Sequence, residues 1–432
     1  MRIIVVALGS IGDVHPLLGL SRTFAQQGHK VIFCANEIFA NAAERCGLEL
    51  LPMGSVEQYH SDINDPKMWN PNTSLKDLWG PLSTRIRPMY DLLRSQIDDE
   101  TVIAAHPWAI GARLLQEQYG VPLVTLTVSP AIFFSAKKPP KLRKIPIPTF
   151  MPYPVRAALL WALERAVLDR VCGPDINGLR AELGLPPVKR IMCRWLASPE
   201  GVLGLFPAWF SEPQSDWPPN VTLTGFPLFD EADFREIDPE MQEFLANGQK
   251  PIVFTLGSTL TDGTAYYSAA AEALQTLGQR GVFIARAETV MPKLPSNILV
   301  RSYIPLSKLL PQVRALVHHG GIGTASQALV AGIPQLIKPH AMDQFDNAES
   351  VERIGCGFEL KEQDGLDILP SLKRLLESES IQQNCIAVQA KINTPESAGL
   401  KALSVIESVA KAAVRKIPSD IRSYKPVTPS VS

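Results

Sequence analysis

A run of glycines placed directly after a short apolar strand constrains this chain more than any other feature. Ala315-Leu316-Val317 leads into His318-His319-Gly320-Gly321-Ile322-Gly323-Thr324. Ala325, Leu329 and Val330 then recur at helical spacing, so a helix begins near Ile322. The first N–H groups of such a helix have no partner within it and favour an anion. Glycine lets the backbone approach a ligand closely. The next apolar run, Ile333 to Ile337, delivers Asp343, Gln344 and Asn347 to the same sheet edge. Neighbouring strands lie about 4.8 Å apart, so a diphosphate on the turn would leave its attached group beside Asp343 and Gln344. A carboxylate and an amide together accept and donate hydrogen bonds to vicinal hydroxyls. The layout is that of a nucleotide-diphosphate-sugar site. A P-loop would need a lysine where Thr324-Ala325 stands. A dinucleotide turn is imitated by Asp343, twenty residues after Gly323, but the glycine pattern ends in Ser326 and follows two histidines. A ligand-free βαβ turn would not explain why the two loops agree.

The remainder of the chain reads as α/β. With 432 residues it is long enough for two domains. The net charge of −1 gives no reason to expect nucleic acid as a partner. The six cysteines form no Cys-x-x-Cys pair and no metal-ligand spacing, which fits free thiols in a reducing cytoplasm. We expect no metal and no cofactor. Ile3–Leu8 is too short for a signal core, and no apolar run reaches the length of a membrane span.

At the N-terminus, Arg2–Leu8 reads as a buried parallel strand running into Gly9-Ser10-Ile11-Gly12-Asp13. Pro16 suits the first turn of a helix that ends near Gln27. Asp13 therefore sits at a strand's carboxyl end, where ligands bind in doubly wound sheets. Its carboxylate could cap the helix or take the proton of an acceptor hydroxyl. The helix terminus is expected to keep it ionised and so weaken it as a base. His15 is the rival base. Residues 52–75 read as a long polar loop lining an acceptor pocket that includes Trp69. A helix from Leu75 to Gln96 should break or kink at Pro88. His106, at a strand end, and Phe133 and Phe134 are further acceptor-side candidates. Lys137-Lys138-Pro139-Pro140-Lys141-Leu142-Arg143-Lys144 precedes a helix, Val155–Val171, with Leu159, Leu160, Leu163, Val167 and Val171 on one face. This is a solvated loop before a core helix, or a site of peripheral contact with anionic lipid on the inner membrane.

The expected organisation is a first Rossmann-like domain over 1–226 and a proline-bearing linker over 227–250. A second Rossmann-like domain occupies 251–395, then a helix over 396–417 crosses back to the first, and a disordered tail covers 418–432. The second domain opens with Ile252–Leu256 running into Gly257-Ser258.

The motif His318-His319-Gly320-Gly321-Ile322-Gly323-Thr324 with Asp343-Gln344 resembles the donor signature of the family 1 glycosyltransferases of GT-B fold. Further segments, Gly9 to Pro16, Phe206 to Phe210, Thr224 to Asp230 and Ile354 to Gly357, resemble the rhamnosyltransferases of bacterial rhamnolipid synthesis. The resemblance implies two domains facing across a cleft and inverting, metal-independent transfer of a hexose, with Asp13 as base. It places Gly257, Ser258 and His318 near the donor phosphates. Tyr303, with Ile304 after it, stands where plant relatives stack a tryptophan on the base. Two departures leave ribose recognition open: Leu306 replaces a glutamine and Ser326 a glutamate. The implied donor is dTDP-L-rhamnose or UDP-glucose. The implied acceptor is lipidic, such as a 3-(3-hydroxyalkanoyloxy)alkanoate. Aromatic or macrolide alcohols are the alternative acceptors, and a catalytically silent binding partner is the alternative of another class.

Overall fold

The computed structural model describes residues 1–69, 73, 75–141, 147–257, 263–361 and 365–413. The expectations for Ser258, for the Trp69 side chain, for Arg143 and Lys144 and for the tail lie outside the described residues. Two sheets, all of whose strand pairings are parallel, account for the apolar runs. The first comprises β1 (Arg2–Val6), β2 (Lys30–Ala35), β3 (Glu49–Pro52), β4 (Thr101–Ala105), β5 (Leu123–Thr127), β6 (Val202–Gly204) and β7 (Val221–Leu223), in the order β3-β2-β1-β4-β5-β6-β7. The second comprises β8 (Ile252–Thr255), β9 (Gly281–Ile284), β10 (Ile298–Arg301), β11 (Ala315–His318), β12 (Gln335–Ile337) and β13 (Gly357–Glu359), in the order β10-β9-β8-β11-β12-β13. Strands buried on both faces read as continuous Val/Ile/Leu runs, which is why these were legible.

Strand order reverses beside β1 in the first sheet and beside β8 in the second. Crevices that take ligands form at such points. Six helices bear on the cleft and its flanks: α1 (Ile11–Gln26), α2 (Val56–Asn64), α3 (Tyr153–Leu163), α4 (Ile322–Ala331), α5 (Gln344–Arg353) and α6 (Pro395–Ala412). One apolar cluster is continuous from Val14, Leu17 and Phe24 through Ile322, Ala325 and Leu329 to Ala402 and Ile406. The cleft therefore closes on a shared core. The last helix crosses back as expected, with Gly399 against Thr23 of α1.

Several local expectations are corrected. α1 begins at Ile11, which puts Pro16 inside the helix. Pro16 offers no N–H to the Gly12 carbonyl. The 52–75 segment is not simply a loop, because α2 forms under a Ser55 cap that accepts from Gln58 N at 3.3 Å. The break expected at Pro88 falls earlier, between Leu75–Ser83 and Ile86–Arg94. Proline is tolerated in a helix's first turn, where its missing N–H costs nothing. The segment 227–250 contains a helix, Pro239–Ala246, whose Met241 and Leu245 are buried on the second sheet. The amphipathic face drawn for 155–171 is also wrong in part. Leu160 is buried, but Leu159 and Val167 are exposed, and the inward position is taken by Glu164. Glu164 can be buried because Arg190 Nε at 2.9 Å and Cys193 N at 2.8 Å donate to it.

Candidate active site between the two sheets

The two crevices face each other, and α1 and α4 bring their N-termini together. A Cβ added to Gly323 would lie 3.8 Å from the Gly12 carbonyl oxygen. On the first side, Asp13 occupies the third position of α1 in a capping box. Ser10 N donates to its Oδ2 at 2.9 Å and Ser10 Oγ at 3.1 Å. Both bonds fall on one oxygen, and Oδ1 accepts none among the described residues. Gly9 is in the left-handed region, and a side chain there would meet Oδ2 at 2.4 Å. Burial, then repulsion from Asp343 across the cleft, push the Asp13 carboxyl up to about 6. The expected weakening of Asp13 as a base by the helix terminus is thus corrected, because loss of water outweighs the cap. His15, two residues on, turns inward. Its ring meets Phe39 and Phe229 edge-on, and Nε2 lies 3.5 Å from Glu231. Burial lowers its pKa despite that carboxylate.

On the second side, Gly320 takes φ +94° at the end of β11. His318 is fully buried behind this turn. Its Nδ1 accepts from Gly320 N at 3.1 Å, and its Nε2 lies 3.0 Å from Gln335 Oε1. An accepting Nδ1 leaves the proton on Nε2, so the ring is neutral, and burial lowers its pKa to about 4. The phosphate contact expected of His318 is therefore corrected: both nitrogens are spent inside the fold. His319 stands in the loop itself, between Gly257 and Gly321, where either added Cβ would meet its ring at 2.5 Å. Its Nδ1 is buried without a partner. Burial and the two neighbouring histidines lower its pKa to about 3.

Asn347 ties the turn to the next loop. Its Nδ2 donates to Gly320 O and to Asp343 Oδ2, both at 3.0 Å, while its Oδ1 is buried and unpaired. Asp343 is the residue before α5, and burial raises its pKa. Gln344 serves the loop: its Oε1 accepts from His340 N at 2.8 Å and Ala341 N at 3.1 Å. Its carbonyl oxygen is thereby occupied. The first N–H groups of α4, at Ile322, Gly323 and Thr324, point into the cleft end without intrahelical partners.

The flanking expectations divide. Tyr303 donates from its hydroxyl to Asp230 O at 2.6 Å, and the Arg235 guanidinium lies 4.6 Å above its ring. One face of the expected base platform is thus already covered. The Ile304 side chain is in the core under the second sheet. His106 accepts from Trp108 N at 3.3 Å through Nδ1, and burial lowers its pKa to about 4. Phe133 does not line the cleft. It packs tilted on Trp217 at 4.5 Å and edge-on to Phe206 at 6.4 Å in the core. Phe134 takes φ +47° and packs toward α3.

Three residues at the cleft were not singled out in the sequence, Tyr59 falling only within the segment 52–75 expected to line the acceptor pocket. Tyr59 of α2 stands on Phe39, with a buried, unpaired hydroxyl in the field of Asp13. Ser129, just past β5, has a buried Oγ beside the Asp343 carboxylate, which it helps keep ionised. Arg286, past the end of β9, reaches across to Asn64 Oδ1 at 2.6 Å. Ser129 and Arg286 were findable by inspecting the residues just past each strand's carboxyl end; Tyr59 needed the fold. Buried polar atoms are rarely left unpaired. The unpaired His319 Nδ1 and Asn347 Oδ1 flank the same glycine turn, the mark of a site built for a polar ligand.

Comparison with known proteins agrees with this geometry. Residues 3–136 match the glycosyltransferase family 28 N-terminal domain, and residues 281–398 match the C-terminal domain of the erythromycin biosynthesis protein CIII-like family. Glycosyltransferase GtfE of Amycolatopsis orientalis is 28% identical over 83% of this chain and 85% of its own. The O-mycaminosyltylonolide 6-deoxyallosyltransferase of Streptomyces fradiae is 28% identical over 82% of this chain and 84% of its own. A sterol 3-beta-glucosyltransferase of Saccharomyces cerevisiae is 24% identical over 93% of this chain but only 34% of its own. Among solved structures, the glycotransferase of kitacinnamycin superposes with a TM-score of 0.73 at 21% identity, over 95% of this chain and 99% of that one. The glycosyltransferase VinC, solved with dTDP, gives 0.66 at 20% identity, over 95% and 100%. Two doubly wound sheets, a glycine turn at the switch point of the second and these matches along both halves place the chain among the glycosyltransferases of GT-B fold.

Proposed function

We propose that the protein transfers a hexose or deoxyhexose from a nucleoside diphosphate to a hydroxyl of a natural product, with inversion at the anomeric carbon. The observation that carries this reading is the opposition of Asp13 to the glycine turn and Asp343. The diphosphate lies on the N–H groups of α4 with His319 beside it, and the sugar hydroxyls meet Asp343. Asp13 Oδ1 takes the proton of the acceptor hydroxyl as its oxygen attacks the anomeric carbon. The bond to the diphosphate breaks on the opposite face. A carboxyl near pH 6 is ionised at neutrality yet basic enough to help. Aligned N–H groups stabilise the charge gathering on the leaving diphosphate. The deoxyallosyltransferase, named for its O-mycaminosyltylonolide acceptor, favours a natural product over the rhamnolipid precursor.

Calorimetric titration with thymidine and uridine diphosphates comes first. Product mass spectrometry with dTDP-rhamnose and UDP-glucose, against macrolide, glycopeptide and 3-(3-hydroxyalkanoyloxy)alkanoate acceptors, then separates the substrates. Binding of neither nucleotide would sink the reading.

One observation favours a lipidic acceptor as the second reading. The outward face of α3 and the turn after it exposes Val155, Leu159, Trp161 and Val167, with Phe150 85% exposed just before it. Arg170 is exposed three residues after Val167, while Arg156 is half-buried and donates to Lys137 O at 3.1 Å. Such a face with a cationic flank suits an anionic lipid surface. No described helix is long and apolar enough to cross a membrane. Sedimentation with phosphatidylglycerol vesicles at low salt tests it, and Leu159→Asp with Trp161→Asp should abolish it.

A further inference from the structure

α5 begins at the sugar-side carboxylate and then runs along the first domain. Positions 343, 346, 349 and 353 lie along one side of this helix. Asp346 is only 7% exposed, and both its oxygens accept from Lys141 N, at 3.2 and 3.3 Å. Lys141 Nζ lies 3.8 Å from Glu349. Arg353 donates from Nη2 to the carbonyls of Trp209 at 3.1 Å and Phe210 at 2.5 Å. One side of a second-domain helix thus grips the first domain at successive turns.

Lys141 closes the loop that runs on from Ser129 and Phe134. The start of this loop is pinned within the first domain, where Asp216 accepts from Ser135 Oγ and Ala136 N, each at 2.7 Å. Pro139 and Pro140 have no N–H, so after Lys138 the next backbone donor is Lys141. Its only acceptor among the described residues belongs to the other domain. A carboxylate taken out of water for one backbone N–H is an expensive choice unless the contact matters. The basic stretch 137–141 is accordingly engaged here: Lys138 is held among Asp346, Glu349 and Arg353, which leaves less of it for lipid than its composition suggests.

We propose that Asp346 is a positioning residue that transmits donor occupancy to the acceptor side. It holds residues 135–141 against α5, the helix whose first turn holds the sugar through Asp343. With the donor in place α5 is fixed, and the first-domain loop that runs on from Ser129, beside Asp343, is fixed with it. The proposal rests on the donor reading and adds a residue outside the motif.

The test uses the full chain with dTDP-rhamnose or, should that fail to bind, UDP-glucose, because only a nucleotide that carries its sugar reaches Asp343. Calorimetry gives the affinity, and hydrogen exchange reads the peptide covering 134–141. In the wild type, nucleotide should slow exchange at Lys141 about tenfold, the worth of one hydrogen bond to a charged group. In Asp346→Ala the affinity should stay within about twofold and the nucleotide-dependent slowing should vanish. Asp346→Asn keeps an acceptor oxygen and should restore it. Lys141→Ala keeps the N–H and should behave as wild type. If Asp346→Ala retains the slowing, or the wild type shows none while binding nucleotide, the coupling is wrong and the donor reading stands. If neither nucleotide binds, both fall.

Discussion

At the scale of single residues, environment decided what chemistry each side chain could do. Asp13 was legible because an acid after a strand-ending glycine is conspicuous, but its strength as a base was not. A raised folded pKa means that ionised Asp13 weakens the fold at neutral pH, and this penalty fades as pH falls from about 6 toward 4. Asp13→Asn should therefore lower kcat at least about a hundredfold, leave nucleotide affinity unchanged, and raise stability by roughly 1–3 kcal/mol. Rate assays, calorimetry and thermal denaturation check the three. In the wild type, kcat/KM should fall as pH drops through about 6. The two histidines make a second pair of expectations. His318→Ala removes two internal hydrogen bonds and should cost roughly 2–4 kcal/mol of stability. His319→Ala should change stability by less than about 1 kcal/mol yet weaken nucleotide binding about tenfold. Sequence motif alone assigned the phosphate to the first histidine. Both ring nitrogens of that histidine are engaged inside the fold, whereas Nδ1 of the second is unpaired.

At the scale of elements, the strand–turn–helix units were the most readable part, since parallel strands and glycine turns leave plain signals. Gly320 shows why the turn admits no side chain. At φ +94°, an added Cβ would sit 2.8 Å from Ile337 Cγ2 and 3.0 Å from Gln344 O. Gly320→Ala should cost roughly 2 kcal/mol or more and abolish nucleotide binding, measured by denaturation and calorimetry. The helix over 153–168 was the least readable. Its apolar positions faced outward because Glu164 found two donors inside. No periodicity argument can anticipate a buried carboxylate whose partners are Arg190 and Cys193 N, distant in sequence.

At the scale of the whole molecule, the domains are joined by more than a linker. The core running from α1 through α4 to α6 makes the closed arrangement part of the fold. Gly399 in α6 lies against Thr23, and its Cβ would meet Thr23 Cγ2 at 2.8 Å. Gly399→Val should lower stability by roughly 1–3 kcal/mol. Gly178→Ala, in a helix with open space around it, should raise it by about 0.5–1 kcal/mol. Paired thermal melts decide. The sequence by itself determined the two parallel sheets, the glycine turn, the acid after β1 and the acid after β12, because each depends on neighbours within a few residues. Only the tertiary structure decided how basic Asp13 is, which histidine keeps an unpaired nitrogen, that Tyr59 stands in the field of Asp13, and that Asp346 meets Lys141. Burial, field and the meeting of residues far apart in the chain arise when the two sheets close on each other.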